Sequence, residues 1–304
     1  MSRRYAVYDV FTDRRLAGNP LAVVFDAEGL DDAAMQAIAR EFNLSETVFV
    51  FPPEANGHAA RLRIFTPGRE LPFAGHPTVG AAIAIAEAAD GNDRPRDLVS
   101  VLEENVGPVR CAVRLPVSGA AFAEFDLPRK SQRLEATLDR QAIADAFGLK
   151  SSQVGFENHV PTLWSAGVPF VLVPLHDLAA AAAVDFDPGR WERCVPFADG
   201  RLAAAYLYCR GGVDHHAKFH TRMFAPDMGI AEDPATGAAV AALSGAIHFV
   251  DQLIDGHHPF LIEQGVEMGR PSAIHLHLDV AGGKIANARI GGQAVRVARG
   301  ELDV

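Results

Sequence analysis

Cysteine is scarce in this chain of 304 residues, which contains only Cys111, Cys194 and Cys209. The three cysteines are widely spaced, and no two of them form a CxxC pair. An odd and sparse set of this kind argues against a disulfide framework and is typical of proteins in a reducing compartment. We therefore expect a cytoplasmic protein.

Surplus positive charge and long apolar runs are also missing. The formal net charge is −10, which argues against nucleic acid as a partner because phosphate binding needs a basic face. Tyr5, Tyr8 and Asp9 interrupt the N-terminal segment where a signal peptide needs an apolar run. The apolar stretches end well short of the ~20 residues that a membrane span needs. We expect neither a nucleic-acid nor a membrane partner, whereas a small acidic substrate remains compatible with this charge.

The most informative feature is an internal repeat. Residues 76–84 (HPTVGAAIA) resemble residues 233–241 (DPATGAAVA), with Pro, Gly and three Ala in common at an offset of 157. The tripeptide FTP precedes the first copy and FAP precedes the second. Because the length allows two domains of about 150 residues, the repeat predicts two similar halves with a site at their pseudo-symmetric interface.

Each copy of the repeat predicts a buried helix. Pro77 and Pro234 suit the first helical position, Asp233 is a good N-cap, and His76 lies at the corresponding place. The helices, roughly 77–88 and 234–248, are apolar on nearly every face, which is typical of a central helix. We expect amphipathic helices at 31–42 and 139–147 and a loop at 91–96. Short β-like runs occur at 5–10, 47–51, 60–65, 109–114, 122–126, 203–209, 219–224, 274–280 and 295–298. The pattern predicts an α/β protein in which a rolled sheet surrounds one central helix, twice.

The two helix starts are candidates for anion binding. Unpaired backbone N–H groups and the helix dipole would suit a substrate carboxylate at both positions. Asp233 beside such a carboxylate would be repulsive unless one of them carries a proton. Asp233 is therefore interpreted either as a cap or as a group that hydrogen-bonds to the substrate.

Glu46 is a candidate general acid–base group. It lies in NLSETVFVF, at the start of an apolar strand, where partial desolvation would suit proton transfer near neutral pH. The competing interpretation is a solvated turn residue.

Several motifs together resemble one known family. The segments NLSET, FTPGRELPFAGHPT, RMFAPDMGIAEDPATGAA and EQGVEMGRPS occur in the order seen in the PhzF-like family of phenazine-biosynthesis isomerases, and the resemblance runs nearly end to end. It implies the diaminopimelate epimerase-like fold, with two pseudo-symmetric α/β halves and an active site in the cleft between them. The first half would comprise residues 1–120 with a C-terminal strand at 293–304, and the second residues 121–292.

The resemblance also implies a function and a set of site residues. The function is a cofactor-independent proton shift on a small carboxylic acid similar to dihydro-hydroxyanthranilate, in a homodimer. Glu46 would be the acid–base group, and His76 and Asp233 would hold the substrate and shuttle protons. The expected substrate-binding residues are Gly75, Pro77, Thr236, Gly237 and Ala238.

Two departures from relatives of this fold affect the expected chemistry. The phenazine enzyme's motif continues TGS, whereas this chain has Thr236-Gly237-Ala238 and lacks the hydroxyl. A site built around that hydroxyl would bind its substrate less well without it. Epimerases of this fold use one cysteine in each helix motif, and neither motif here contains one.

Three other interpretations stay open or are set aside. The alternatives to the isomerase are an epimerase acting on another small acid, and a non-catalytic protein that binds small acids. Residues 214–216 (DHH) and the nearby His220 are interpreted as a polar turn entering a strand, so we expect no metal site. Arg63 and Arg222, two residues before Phe65 and Phe224, could be charges on strand surfaces or cleft residues, and we favour the surface interpretation.

Overall fold

The computed structural model describes residues 2–89, 94–198 and 200–304, and the chain divides into two compact units. The first unit comprises Met1–Pro128 and Arg289–Val304, and the second comprises Arg129–Ala288. The division thus lies at Pro128 rather than near residue 120. The loop expected at 91–96 falls partly outside the described residues. Among the described residues, no helix combines the length and apolar character required to cross a membrane.

Eight strands of the described part of the first unit close into a barrel. Its strands, together with the short β5, are β1 (Ser2–Val10), β2 (Asn19–Val24), β3 (Glu46–Phe51), β4 (Ala60–Phe65), β5 (Glu70–Leu71), β6 (Arg96–Glu104), β7 (Gly107–Leu115), β8 (Ala121–Asp126) and the second part of β19 (Lys284–Asp303). The barrel order is β1, β2, β3, β4, β6, β7, β8 and β19, and β19 pairs again with β1. The pairs β2–β3 and β4–β6 are parallel, and the others are antiparallel.

A nearly all-apolar helix, α2 (Gly75–Ala88), packs against six strands of this barrel, whereas the amphipathic α1 (Asp32–Phe42) lies against β3 and β4. Small residues let α2 approach the sheet closely. A Cβ atom added to Gly80 would lie 2.5 Å from Leu21 Cδ2 and 2.8 Å from Val10 Cγ2. The packing around α2 therefore requires glycine at this position.

The second unit repeats the strand order of the first. Its elements are β9 (Gln132–Leu134), α3 (Arg140–Ala146), β10 (Thr162–Ser165), β11 (Pro169–Pro174), α4 (Leu178–Ala182), α5 (Pro188–Cys194), β12 (Phe197–Ala198), β13 (Arg201–Leu202), β14 (Ala204–Arg210), β15 (Phe219–Ala225), β16 (Ile230–Asp233), α6 (Gly237–Asp251), β17 (Gly256–Gln264) and β18 (Ser272–Ala281). Strands β9, β10, β11, β14, β15, β17 and β18 pair in that order, and α6 packs against β9, β10, β11 and β18.

The two units use the same sequence of strand directions. The pair β11–β14 is parallel like β2–β3, and β15–β17 is parallel like β4–β6, whereas β14–β15 is antiparallel like β3–β4. The predicted fold class, α/β with a sheet rolled around a central apolar helix, is confirmed.

The predicted starts of both central helices are wrong. Helix α2 begins at Gly75, so His76 and Pro77 lie inside its first turn. Helix α6 begins at Gly237, and Asp233 is the last residue of β16, where it pairs with Met223. Proline is tolerated throughout a first helical turn because those N–H groups have no intrahelical partner, so it does not fix the exact start.

Candidate active site

Glu46 is the first residue of β3, beside Leu21 of the parallel strand β2. Helix α1 ends at Asn43, whose left-handed backbone (φ 50°) turns the chain toward this strand. The Glu46 residue is only 9% exposed. The interpretation of Glu46 as a solvated turn residue is therefore excluded.

His76 lies against Glu46 in the first unit. Its Nε2 atom is 3.4 Å from Glu46 Oε2, and the residue is 5% exposed. Burial lowers the pKa of His76 to about 3, and a hydrogen bond to the Pro20 carbonyl opposes this shift only in part. The imidazole is therefore neutral at physiological pH.

The hydrogen-bond pattern assigns the tautomer of His76. Nε2 makes no hydrogen bond within the described residues, so the ring donates to Pro20 through Nδ1. The Nε2 lone pair then faces the Glu46 carboxyl group. An imidazole nitrogen and a carboxylate oxygen at this separation can hold one proton between them.

Asp233 belongs to a buried polar network in the second unit. The Thr236 hydroxyl donates to Asp233 Oδ2 at 2.5 Å. Gln264, at the end of β17, donates from Nε2 to the Asp233 carbonyl at 2.7 Å and to Thr236 Oγ1 at 3.0 Å. Thr236, three positions away in the chain, thus holds the side chain of Asp233, and Gln264, 31 positions away, holds its backbone.

Tyr206 and Thr221 complete this network. The Tyr206 hydroxyl lies 3.2 Å from Gln264 Oε1 and 3.0 Å from Thr221 Oγ1, and Thr221 donates to the Glu263 carbonyl. Burial raises the pKa of Tyr206, and the negative charge of Asp233 raises it further. Tyr206 is therefore a neutral hydrogen-bonding group across the physiological range.

The predicted substrate-binding residues lie at the two helix starts. Gly75 and Pro77 are in the first turn of α2, and Gly237 and Ala238 are in the first turn of α6. Thr236 is the N-cap of α6, but it makes no side-chain cap hydrogen bond because its hydroxyl is directed to Asp233. The N-cap of α2 is Ala74, which has no polar side chain. The interpretation of Asp233 as a cap is wrong, since it lies before the cap residue.

Two residues near Asp233, Gln264 and Arg222, have contacts that the sequence did not predict. Gln264 stands in EQGVEMGRPS, a segment used only for the resemblance. Arg222 is not a surface charge: its side chain is 9% exposed, makes a bidentate ion pair with Glu232 at 2.7 and 2.9 Å, and stacks on Phe224. The sequence signal available for Gln264 was a polar residue at the end of an apolar strand, directly before a glycine.

Two groups of metal-type ligands occur in the part of the chain that the structure describes. Asp214, His215 and His216 are all exposed. Asp251, the third member of a group with Glu157 and His159, is paired with Arg210 at 2.6 Å, and Arg210 also binds Glu157. The guanidinium charge opposes a cation at the second group.

His220, by contrast, lies in a buried cluster with Glu263 and Glu267, at 2.6 and 2.9 Å. Burial alone would lower its pKa, but the two carboxylates raise the pKa of His220 to about 9. A protonated imidazole has no lone pair for a metal.

Comparisons with known proteins agree with this architecture. The family model for phenazine biosynthesis-like proteins, PhzC-PhzF, matches residues 8–300. An uncharacterised isomerase of Mesorhizobium japonicum is 55% identical over 99% of both chains. The trans-2,3-dihydro-3-hydroxyanthranilate isomerase of Pseudomonas aeruginosa is 36% identical over 98% of both chains.

A solved structure supports the same fold. The phenazine biosynthesis protein of the PhzF family from Bacillus anthracis is 24% identical, with a TM-score of 0.87 over 100% of both chains. The predicted diaminopimelate epimerase-like fold is confirmed. By family match and by relatives named as isomerases, the chain belongs to the phenazine biosynthesis-like PhzC-PhzF family.

Proposed function

We propose that this protein is a cofactor-independent isomerase that shifts a proton between two carbons of a small unsaturated carboxylic acid. The observation that carries the proposal is the buried Glu46–His76 pair, with 3.4 Å between Oε2 and Nε2. The similarity to the P. aeruginosa isomerase supports trans-2,3-dihydro-3-hydroxyanthranilate, or a close analogue, as the substrate class.

In the proposed reaction, Glu46 removes a proton from a carbon of the substrate. The electron pair of the broken C–H bond forms a double bond to the adjacent carbon, and the neighbouring double bond gives its electron pair to the carbon at its far end. Glu46 then returns the proton to the far carbon, and the resulting enol becomes a ketone. No atom or electron is gained or lost overall, so the reaction needs no redox partner. His76 Nε2 accepts a hydrogen bond from the protonated form of Glu46.

Asp233 and a helix start have supporting roles in the proposed reaction. Asp233 hydrogen-bonds to a polar group of the substrate and stabilises the charge that develops there. Backbone N–H groups in the first turn of a central helix bind the substrate carboxylate, since neither α2 nor α6 has a side-chain cap hydrogen bond. Ala238 offers no hydroxyl, which favours a substrate that differs from the phenazine precursor near this position.

Replacement of Glu46 by glutamine tests the proposal. Glu46→Gln keeps the size and removes the acid–base group, so kcat on trans-2,3-dihydro-3-hydroxyanthranilate or on the best substrate of a panel of cyclic unsaturated acids should fall about 10²–10⁴-fold. The matched control is Glu41→Gln, because Glu41 is exposed on α1. Near-wild-type turnover by Glu46→Gln would refute the assignment.

The same assays separate the alternatives. An epimerase would exchange the proton at the α-carbon without moving a double bond. A binding protein would be stabilised by small carboxylic acids, with a higher Tm, but would catalyse no exchange of carbon-bound protons.

A further inference from the structure

We propose that Gln264 is a positioning residue that fixes the Asp233 carboxylate by orienting the Thr236 hydroxyl toward it. This inference rests on the proposed function, in which Asp233 contacts the substrate. Gln264 is fully buried, and its carboxamide bonds to two residues of the segment that leads from β16 into α6.

The orientation of the Gln264 amide is determined by two backbone groups. The Thr236 N–H can only donate, and it lies 3.2 Å from Gln264 Oε1. The Asp233 carbonyl can only accept, and it lies 2.7 Å from Gln264 Nε2. A flipped amide would face donor with donor and acceptor with acceptor, so only the observed orientation satisfies both contacts.

This orientation settles the direction of the next hydrogen bond. The second N–H of Gln264 points to Thr236 Oγ1, 3.0 Å away, so Thr236 accepts there. Thr236 then uses its single hydrogen for Asp233 Oδ2. A hydroxyl that donates to a carboxylate favours its ionised form and holds it in one rotamer. Gln264 thereby acts on Asp233 through Thr236.

Two further contacts make the segment around Asp233 rigid. Gly265 has a φ of +76°, and a Cβ atom at this position would lie 2.6 Å from the Pro234 carbonyl oxygen. The backbone after Gln264 is therefore pressed directly against the residue after Asp233. On the other side, the ion pair between the buried Arg222 and the half-buried Glu232 ties β15 to β16 next to Asp233. A shift in the position of the Gln264 amide will therefore displace Asp233, because the tightly packed segment around Asp233 leaves no room for other adjustments.

The first unit contains the equivalent position with a different group. Glu103 lies opposite Arg61 in the register of the parallel strands β4 and β6. Glu263 lies opposite His220 in the same way, in the parallel strands β15 and β17. Each of these two glutamates also accepts hydrogen bonds from two consecutive backbone N–H groups and from one histidine. The next residues, Glu104 and Gln264, are therefore counterparts.

The counterparts contact threonines at their respective helix starts. Glu104 Oε1 lies 2.8 Å from Thr78 Oγ1 in the first turn of α2, as the Gln264 amide lies against Thr236. Burial raises the pKa of Glu104 to about 8, so this carboxyl group is mainly protonated at neutral pH. The fold thus already accommodates a protonated carboxyl at this position, which makes exchange of the two side chains a conservative test.

The test is Gln264→Glu, with Glu104→Gln as the matched exchange in the other unit. In Gln264→Glu, the introduced carboxyl group can donate one hydrogen bond while it is protonated. Once ionised it can only accept, and the Thr236 hydrogen then turns away from Asp233. Among the described residues that contact position 264, Asp233 on β16 and Tyr206 on β14 are ionisable. We expect kcat of Gln264→Glu to fall about 10²-fold with a smaller change in KM, and the loss to deepen as pH rises. Glu104→Gln should keep the wild-type pH profile below pH 7.

A substrate-independent measurement separates positioning from folding. In carbon-13 NMR titrations of the Asp233 carboxyl, Gln264→Glu and Thr236→Val should both raise the pKa of Asp233, and Thr236→Ser should restore it. The inference is overturned if Asp233 titrates as in wild type in both variants, or if Gln264→Glu lowers only Tm and leaves the pH profile unchanged. If instead Glu46→Gln is fully active while Asp233 responds as predicted, the proposed function fails and the positioning role stands.

Discussion

His76 shows at the residue scale how burial decides chemistry. A histidine in water is half protonated near pH 6.5, whereas burial lowers the pKa of His76 to about 3. With Nδ1 donating to Pro20, the unprotonated Nε2 is presented to Glu46. A neutral imidazole can accept a hydrogen bond from the protonated form of Glu46 without forming an ion pair that would stabilise the carboxylate.

The protonation state of His76 can be observed directly. Nitrogen-15 NMR of imidazole-labelled protein should show His76 as the Nδ1–H tautomer from pH 5 to 8, without titration. Because the depressed pKa means that the unfolded state binds an additional proton between pH 6.5 and about 3, this residue also makes the fold less stable as pH falls through that window. A titration of His76 with a midpoint between pH 6 and 7 would contradict this account.

Motif resemblance was enough to single out Glu46 and His76 as candidate site residues, but it could not reveal Gln264. Their motifs are distinctive in the sequence, and the structure brings the two side chains to 3.4 Å. The contacts of Gln264 come from residues 28, 31 and 58 positions away, on three other elements. No local pattern encodes such contacts, which exist only once β14, β16 and β17 have each paired with β15. The catalytic roles themselves stay predictions.

The central helices show at the element scale which features local sequence fixes and which it does not. The nearly all-apolar composition of residues 77–88 predicted a buried helix correctly, because an exposed helix would need a polar face. The exact start of each helix depends on tertiary contacts. Asp233 belongs to β16, where it pairs with Met223, and α6 therefore begins only at Gly237.

Glu104 provides a test of the packing beneath α2. The pKa of Glu104 is raised from 4.5 to about 8 by burial, so the folded state holds a proton that the unfolded state releases over this window. The contribution of Glu104 to stability is therefore complete below pH 4.5 and is lost as pH rises toward 8. Glu104→Gln lacks this dependence.

Thermal unfolding of wild type and Glu104→Gln at pH 5 and pH 8 measures the effect. The wild-type Tm should fall relative to the variant's Tm by several degrees between the two pH values, since each pKa unit corresponds to about 1.4 kcal/mol at most. Glu41→Gln serves as the control and should follow the wild type. A Tm difference between wild type and Glu104→Gln that stays constant from pH 5 to 8 would contradict the account.

At the scale of the whole molecule, the duplication is close in strand order but not in chemistry. Leu21 pairs with Glu46 in the first unit, and Phe170 pairs with Ala204 at the corresponding place in the second. The second unit thus has Ala204 at the position that Glu46 occupies in the first unit. The offset of 157 residues predicted the repeat, because the two helix motifs share Pro, Gly and three Ala. It could not predict this chemical difference, which depends on single positions.

The net charge of −10 does not oppose an acidic substrate in this account. Anion binding is proposed at the backbone N–H groups of a helix start, where the helix dipole acts locally. The homodimer implied by the resemblance stays a prediction.

The proposed function depends on proton transfer by Glu46. The test is proton NMR in D₂O, which follows the loss of the carbon-bound proton of trans-2,3-dihydro-3-hydroxyanthranilate, or of the best substrate of the panel of cyclic unsaturated acids, with wild type, Glu46→Gln and Asp233→Asn. We expect rapid loss with wild type, loss slowed about 10²–10⁴-fold with Glu46→Gln, and a clear slowing with Asp233→Asn. Loss of this proton at the wild-type rate with either variant would contradict the role proposed for that residue.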